Sequence, residues 1–442
     1  MTVLPAMPKY EAYKDSGFEW LGKVPNHWVL LRLKDVITEH SGNGFPIEQQ
    51  GSSNGDIPFL KVSDISGSGA YVNTSANYVS KHVVKNKKWN IVPSGSLVTA
   101  KIGEALRKNH RKLTSVDSII DNNCIGFEAI NICPIYNFYL HRVIDFDWFV
   151  NPGAVPSISV PKYKSFHIVL PTKQEQTTIA NFLDKKTAQI DEAIAIKQKQ
   201  IELLKERKQI IIQKAVTQGL DPNVPLRDSG VDWIGQIPEH WDVKRLKYVL
   251  EERNERSKTG EEPLFMMSQV HGLVVRSEYH DKAEVAASNV DNKIVHCNDL
   301  VFNKLKAHLG VFFKSNISFK GLVSPDYAVY KNKAYIKNMK VLELLFRHPL
   351  YIEQFIIRAT GIVEGLIRLY TNDLFDIAIP IAPENEQIGI IEYIETQSKQ
   401  YEKLITVQQQ QIQKLKEYKT TLINNAVTGK IKIPLATQQG IK

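Results

Sequence analysis

"PTKQEQTTIANFLDKKTAQIDEAIAIKQKQIELLKERKQIIIQKAVTQG", residues 171–219, contains no proline after its first residue and no glycine before its last. Its body is built from Gln, Lys, Glu, Ile and Leu, good helix formers apart from the β-branched isoleucines. Pro171 marks the start of a long helix and Gly219 its end. Along it runs a seam of Leu183, Thr187, Ile190, Ile194, Lys197, Ile201, Leu204, Lys208, Ile211 and Ala215, spaced alternately by 3 and 4. That is the period of a coiled coil.

The stretch has a second copy. "IAPENEQIGIIEYIETQSKQYEKLITVQQQQIQKLKEYKTTLINNAVTGKI" follows Pro380, with Pro383 at its start and Gly429 at its end. Moving every seam position by 211 residues gives Ile394, Ser398, Tyr401, Ile405, Gln408, Ile412, Leu415, Lys419, Leu422 and Ala426. The apolar positions match one for one, and so do the polar interruptions. Such interruptions fix register at some cost in stability. A seam of this length makes a rod of ~50 Å at 1.5 Å per residue. One compact domain is too short to cover it, so the two seams are expected to cover each other. The linker "QGLDPNVPLRDSG" is short, which favours an antiparallel pair with one globular body at each end, related by a pseudo-twofold axis.

Each body opens on a further repeat. "DSGFEWLGKVPNHWVLLRLK" (15–34) and "DSGVDWIGQIPEHWDVKRLK" (228–247) are identical at 11 of 20 positions. His27–Trp28 and His240–Trp241 occupy equivalent places, which points to scaffold packing rather than catalysis. Between the repeats and the helices, short apolar runs are broken by Gly, Asn, Ser and Pro, with occasional helices in "IYNFYLHRVIDF" and "KVLELLFRHPLYIEQFI". The expected fold class is therefore α+β. The boundaries read as an N-terminal segment 1–22, a first body 23–170, a first helix 171–219, a junction 220–238, a second body 239–380, a second helix 381–429 and a tail 430–442. "SLVTAKIGEALR" (96–107) and "DLVFNKLKAHLG" (299–310) read as counterparts inside otherwise diverged bodies.

Diverged bodies on a duplicated scaffold imply two recognition tasks. Lys+Arg number 56 against 47 Asp+Glu, a net charge of +9 that suits a polyanionic partner. The candidate nucleic-acid contacts fall in clusters: Lys81, Lys85, Lys87 and Lys88; Lys101; Arg107, Lys108, Asn109, Arg111 and Lys112; and Asn303, Lys304, Lys306 and His308. Lys and Arg neutralise phosphates, and Arg, Lys and Asn can read base edges. The alternative for any one cluster is a solvated lysine face.

No catalytic signature is present. GxxxxGK[ST] and HExxH are absent, no Pro-Pro pair occurs, and "SGSG" at 66–69 reads as a turn. Asp326 in "SPDYAVYKNK" lacks a following acidic-x-Lys and reads as structural. His and Cys do not cluster, so neither a metal site nor a cofactor is expected. Cys124, Cys133 and Cys297 form no CxxC, the start lacks a signal peptide, and no apolar run spans a membrane; a cytoplasmic protein is expected.

Taken together, the "DSG-x-x-W-x-G-x-[VI]-P-x-H-W" openings, the "EQ-x-x-I" helix starts at Glu175/Gln176 and Glu386/Gln387, the "AVT" helix ends and "DLVFNKLKAHLG…GLVSPDYAVY" resemble the specificity subunits of type I restriction–modification systems over nearly the whole chain. The resemblance implies two target-recognition domains, each reading one part of a bipartite double-stranded DNA sequence. It implies an antiparallel coiled coil acting as a ruler for the spacer, and no catalytic site in this chain. It further implies that two methyltransferase subunits bind alongside, with or without restriction subunits, and that S-adenosylmethionine, ATP and Mg belong to those partners. Two other readings remain: a stand-alone sequence-specific DNA-binding protein, and a coiled-coil scaffold without DNA readout.

Overall fold

A computed structural model describes residues 7–434 except 68, 152, 154, 269, 270, 280–287 and 361–367. The two long helices run from Lys173 to Gln218 and from Glu384 to Val427. The chain divides into two compact units that cut across its linear order. The first comprises residues 1–198 and 410–442; the second comprises 199–409. Each unit thus takes one body, the start of one long helix and the end of the other.

In the first unit, Val29–Arg32 enters the body and His167–Leu170 leaves it, paired antiparallel with Val29 opposite Leu170. This pairing delivers the chain to the helix start at Lys173. Between them lies a five-stranded sheet in the order Ile37–Ser41, Cys124–Ala129, Leu97–Ala100, Arg111–Thr114, Tyr71–Val72, beside a three-stranded sheet of Ile119–Ile120, Ile57–Leu60 and Tyr78–Val79. The second unit repeats the entry: Asp242–Arg245 pairs antiparallel with Ala378–Ile381, Asp242 opposite Ile381. Its body differs, with a four-stranded antiparallel sheet of Leu250–Glu252, Tyr327–Asn332, Leu300–Asn303 and Phe312–Lys314. The expected counterparts are the strands Leu97–Ala100 and Leu300–Asn303; each has a strand neighbour on both sides and is followed by a short helical segment.

The duplicated motifs meet at one junction in each unit. Glu175 lies on the first turn of its helix and closes a capping box with Thr172: Glu175 N–H donates to Thr172 Oγ1 at 3.3 Å, and Thr172 N–H donates to Glu175 Oε2 at 3.1 Å. The same carboxylate lies 3.0 Å from His27 Nε2 and accepts from Trp28 Nε1 at 3.4 Å. Together with Thr172 Oγ1, which donates to Glu175 Oε2 at 2.9 Å, these donors outweigh its partial burial and hold Glu175 below the usual carboxylate range. In the second unit Glu386 lies 2.8 Å from His240 Nε2 and accepts from Trp241 Nε1 at 3.0 Å. Each neighbouring glutamine secures the turn before its helix, Gln176 donating to Pro171 O at 2.9 Å and Gln387 to Ala382 O at 2.8 Å.

The end of the other helix completes each junction. Gly429 closes the second long helix at φ 73°, and a Cβ there would run into Pro25 and come within 3.2 Å of Trp28. Gly219 closes the first at φ 75°, where a Cβ would lie 2.6 Å from Glu386 Oε1 and 3.4 Å from the Trp241 ring. Only glycine combines this left-handed backbone with so close an approach. Trp28 and Trp241 are 0% and 2% exposed.

Within the first unit, the start of the first long helix and the end of the second lie antiparallel. Lys419 Nζ bonds Asp191 at 2.6 Å, and Lys197 bonds Gln411, so partner numbers rise on one helix as they fall on the other. Leu183, Ile190, Leu422 and Ala426 share one core there. In the second unit Lys208 Nζ bonds Glu402 at 2.8 Å, while Ala215, Ile390 and Ile394 share the core. All twenty seam positions, Ile194, Ile201, Leu204, Ile211, Tyr401, Ile405, Ile412 and Leu415 among them, are buried or half-buried. Several polar seam positions have partners: Thr187 meets Tyr139 Oη at 3.0 Å, and Lys197, Lys208 and Lys419 make the bonds above.

Residues 7–22 and 430–433 pack into the first unit: Leu21 and Ile433 are buried in its core, and Lys432 N–H donates to Pro8 O at 2.7 Å. The remainder of those terminal segments, 1–6 and 435–442, lies outside the described residues. "KVLELLFRHPLYIEQFI" is two helices, Lys340–Leu345 and Pro349–Arg358, broken at His348 because the residue before a proline is pushed out of the helical region. "IYNFYLHRVIDF" is helical only to Arg142, the helix starting at Pro134.

His141 on that helix is fully buried, its Nδ1 against Tyr163 Oη. Burial pulls its pKa down to about 3 from the ordinary value near 6.5. A histidine held neutral in the folded chain stabilises fully above pH 6.5, and that contribution fades as pH falls towards 3, because only the unfolded chain takes up the proton. In urea unfolding at several pH values, the free-energy difference between wild type and H141F should therefore shift by roughly 1.4 kcal/mol per pH unit between pH 6 and 4. A pH-independent difference would contradict the assignment.

Candidate nucleic-acid interface

Of the cation clusters, Lys81–Lys87 is the most open. Ser80 caps this helix, its Oγ accepting from Val83 N–H at 3.3 Å, and Asp56 Oδ2 accepts from Lys81 N–H at 2.9 Å. Val84 is buried with Ile57, Phe59, Val79 and Ile119 and pins the helix to the body. Spacings of four and three residues then put Lys81, Lys85 and Lys88 around one depression with Ile57, Trp89 and Ile91. All three and Lys87 are exposed, and no ion pair among the described residues includes any of the four. Like charges at i and i+4 repel. A row of uncompensated ammonium groups over a pinned helix is relieved by a polyanion.

The cluster at 101–112 separates into two kinds of residue. Lys101 is half-exposed, while Arg107 and Lys108 are exposed. Arg107 lies 3.7 Å from Glu104 and 3.9 Å from Asp147, pairs exposed enough to leave it open to a phosphate. Asn109, Arg111 and Lys112 are corrections: they hold the body together. Asn109 sits at φ 53°, donates to Asp145 Oδ1 at 2.8 Å and accepts from Phe146 N–H at 3.1 Å. Arg111 is 8% exposed, its guanidinium 4.0 Å from the Phe146 ring centre and bonded to the Ile144 carbonyl. Burial pulls Arg111 down to about 10, which leaves it charged at neutral pH. Lys112 is equally buried and donates to Asp64 O at 3.3 Å.

In the second unit Asn303 Oδ1 accepts from Leu305 N–H at 3.0 Å, a local turn contact. Lys304 is half-buried, 3.8 Å from Glu252, so its charge is largely committed within the body. Lys306 is exposed at a non-helical kink (φ −124°). The His308 side chain lies outside the described residues. Sequence reasoning missed the cluster centred on Glu252, which accepts from Thr371 Oγ1 at 2.8 Å and Lys293 Nζ at 3.2 Å while Tyr330 Oη meets Thr371 at 3.0 Å. Strand pairing sets Tyr330 opposite both Glu252 and Leu300, while Lys293 and Thr371 come from other segments, so no local motif announces the cluster. Asp326 is exposed and lies 3.6 Å from Arg368. Among the described residues no group of three or more His, Cys, Asp or Glu could hold a metal ion, and no helix is long and apolar enough to cross a membrane.

Residues 25–206 match the model of the type I restriction modification DNA specificity domain. Over 95% of the chain and 97% of the relative, 22% of residues are identical to the type I restriction enzyme MjaVIII specificity subunit of Methanocaldococcus jannaschii. The putative type I restriction enzyme MjaX specificity subunit of the same organism is 25% identical, over 95% and 98%. Among solved structures, a chain from a study of complex assembly and conformational transition of the type I R-M system aligns with a TM-score of 0.65 at 15% identity, over 91% of this chain and 98% of that one. The HsdS subunit from Thermoanaerobacter tengcongensis aligns with a TM-score of 0.52 at 15% identity, over 94% and 100%.

Proposed function

We propose that the chain is a type I restriction–modification specificity subunit that serves DNA sequence specificity, each of its two bodies reading one part of a bipartite target; in support, residues 25–206 match the specificity-domain model and the relatives align over nearly the whole chain. The observation that carries this reading is the pair of matched junctions, His27–Trp28–Glu175 and His240–Trp241–Glu386, holding two bodies whose sheets differ. A scaffold kept alike while its two bodies diverge suits two different sequences read at a set distance. The two long helices form the antiparallel coiled coil that sets this distance; in support, Lys419 meets Asp191 in one unit and Lys208 meets Glu402 in the other. Two methyltransferase subunits dock alongside, with or without restriction subunits. S-adenosylmethionine, ATP and Mg act in those partners, and this chain is itself non-catalytic. It works in the cytoplasm, where its DNA is.

Mapping methylated adenines in DNA from cells expressing the chain with its methyltransferase tests the reading. A split motif with a constant gap is expected, and removing one heptad from both helices should change the gap while leaving both half-sequences intact. A continuous motif, or altered half-sequences in the heptad variant, would overturn the ruler.

A further inference from the structure

The first unit contains a cavity of about 360 Å³ that the DNA reading does not use, walled by Arg111, Arg142, Asp145 and Trp148 and, from the second long helix, by Lys419 and Asn424. Its size falls within the roughly 300–1,000 Å³ of small-molecule sites. Three cations line it against one carboxylate. Lys419 is matched by Asp191 at 2.6 Å, and Arg111 has Asp145 as its nearby negative charge. Arg142 is the excess charge: exposed at the end of its helix, it faces the Phe138 ring at 5.6 Å, and no ion pair among the described residues includes it. By contrast, Arg347 in the second unit is held by Glu343 at 2.9 Å.

Arg111, more than nine-tenths buried and held by the Ile144 carbonyl and the Phe146 ring, adds a fixed positive charge to the wall of this cavity. Trp148 is 51% exposed and also lines the cavity, supplying an indole ring beside the cations. Asn424 and Thr420 add polar groups, Ile423 and Val143 aliphatic ones. A guanidinium in excess takes a phosphate through charge-assisted bonds, and an indole takes a flat ring by stacking.

We propose that this cavity binds a nucleoside monophosphate, with the phosphate on Arg142, in the field of the Arg111 charge, and the base against Trp148. The site is separate from the Lys81–Lys88 face, and a ligand in it would touch both the first body and the second long helix. Titration calorimetry of the full chain with AMP, adenosine and inorganic phosphate tests it. AMP should bind, with adenosine and phosphate each at least about tenfold weaker. R142Q and W148A should each weaken AMP about tenfold or more; R142Q replaces an exposed side chain, so its melting temperature and its duplex DNA affinity should match wild type. Undetectable AMP binding by the folded chain would overturn the proposal, as would unchanged affinity in R142Q. Phosphate binding as tightly as AMP would overturn the role of the base, and adenosine binding as tightly as AMP that of the phosphate. Because DNA affinity is read in the same variant, loss of AMP binding with DNA binding intact separates this site from the specificity function.

Discussion

W28A should lower the unfolding free energy of the first unit by about 3–5 kcal/mol, the usual range for removing a buried tryptophan. The ring is fully buried in the core that also holds Leu183, Leu422 and Ala426, beside Gly429, which ends the second long helix. No neighbour can fill the void without moving a helix end, which puts the expected value towards the upper part of that range. The indole also donates to Glu175, already occupied by Thr172 and His27. W28F keeps most of the packing and loses only that bond, so it should cost far less, about 1 kcal/mol for the bond plus the small volume change. Urea unfolding of both variants separates packing from hydrogen bonding. Equal losses would mean that the indole N–H matters more than the ring.

The triple variant K81A/K85A/K88A should bind duplex DNA more weakly and with a shallower salt dependence. Each phosphate contact contributes about 0.9 to the slope of log K against log salt, so losing three should flatten that slope by roughly 2.7. The loss should be nearly the same for every sequence, since phosphate contacts carry no base information. Stability should change little, because the three side chains are exposed and Val84 remains to hold the helix. Fluorescence anisotropy across a salt series gives the slope directly. An unchanged slope would remove this face from the DNA interface. The parallel variant K112A should behave in the opposite way, disturbing the fold through its lost bond to Asp64 while leaving the slope alone.

These contrasting lysines show where sequence reading reaches and where it stops. Lys85 and Lys112 both sit in basic runs, and nothing local distinguishes them. Lys85 lies on a capped helix with one apolar face, where periodicity alone turns it outward. Lys112 lies on Arg111–Thr114, a strand buried at all four residues. When both faces of a strand are covered, the alternation that sorts inside from outside is lost. The charge is then accommodated by partners far along the chain, the Asp64 carbonyl for Lys112 and the Ile144 carbonyl and Phe146 ring for Arg111. The break at His348 was legible in Pro349, and a continuous helix was expected only because the apolar pattern runs through it.

The seams, helix limits and duplicated junction motifs were determined by the sequence alone, because each is written in nearby residues: the 3–4 spacing, a proline at the start, a glycine at the end. That His27 and Trp28 converge on Glu175, and His240 and Trp241 on Glu386, was decided by the tertiary structure. So were which cations remain open to a polyanion and the assembly of a cavity from Arg111, Arg142, Trp148 and Asn424. Exposure and convergence depend on packing between segments tens to hundreds of residues apart, and the free energy of that packing is not carried by any local pattern.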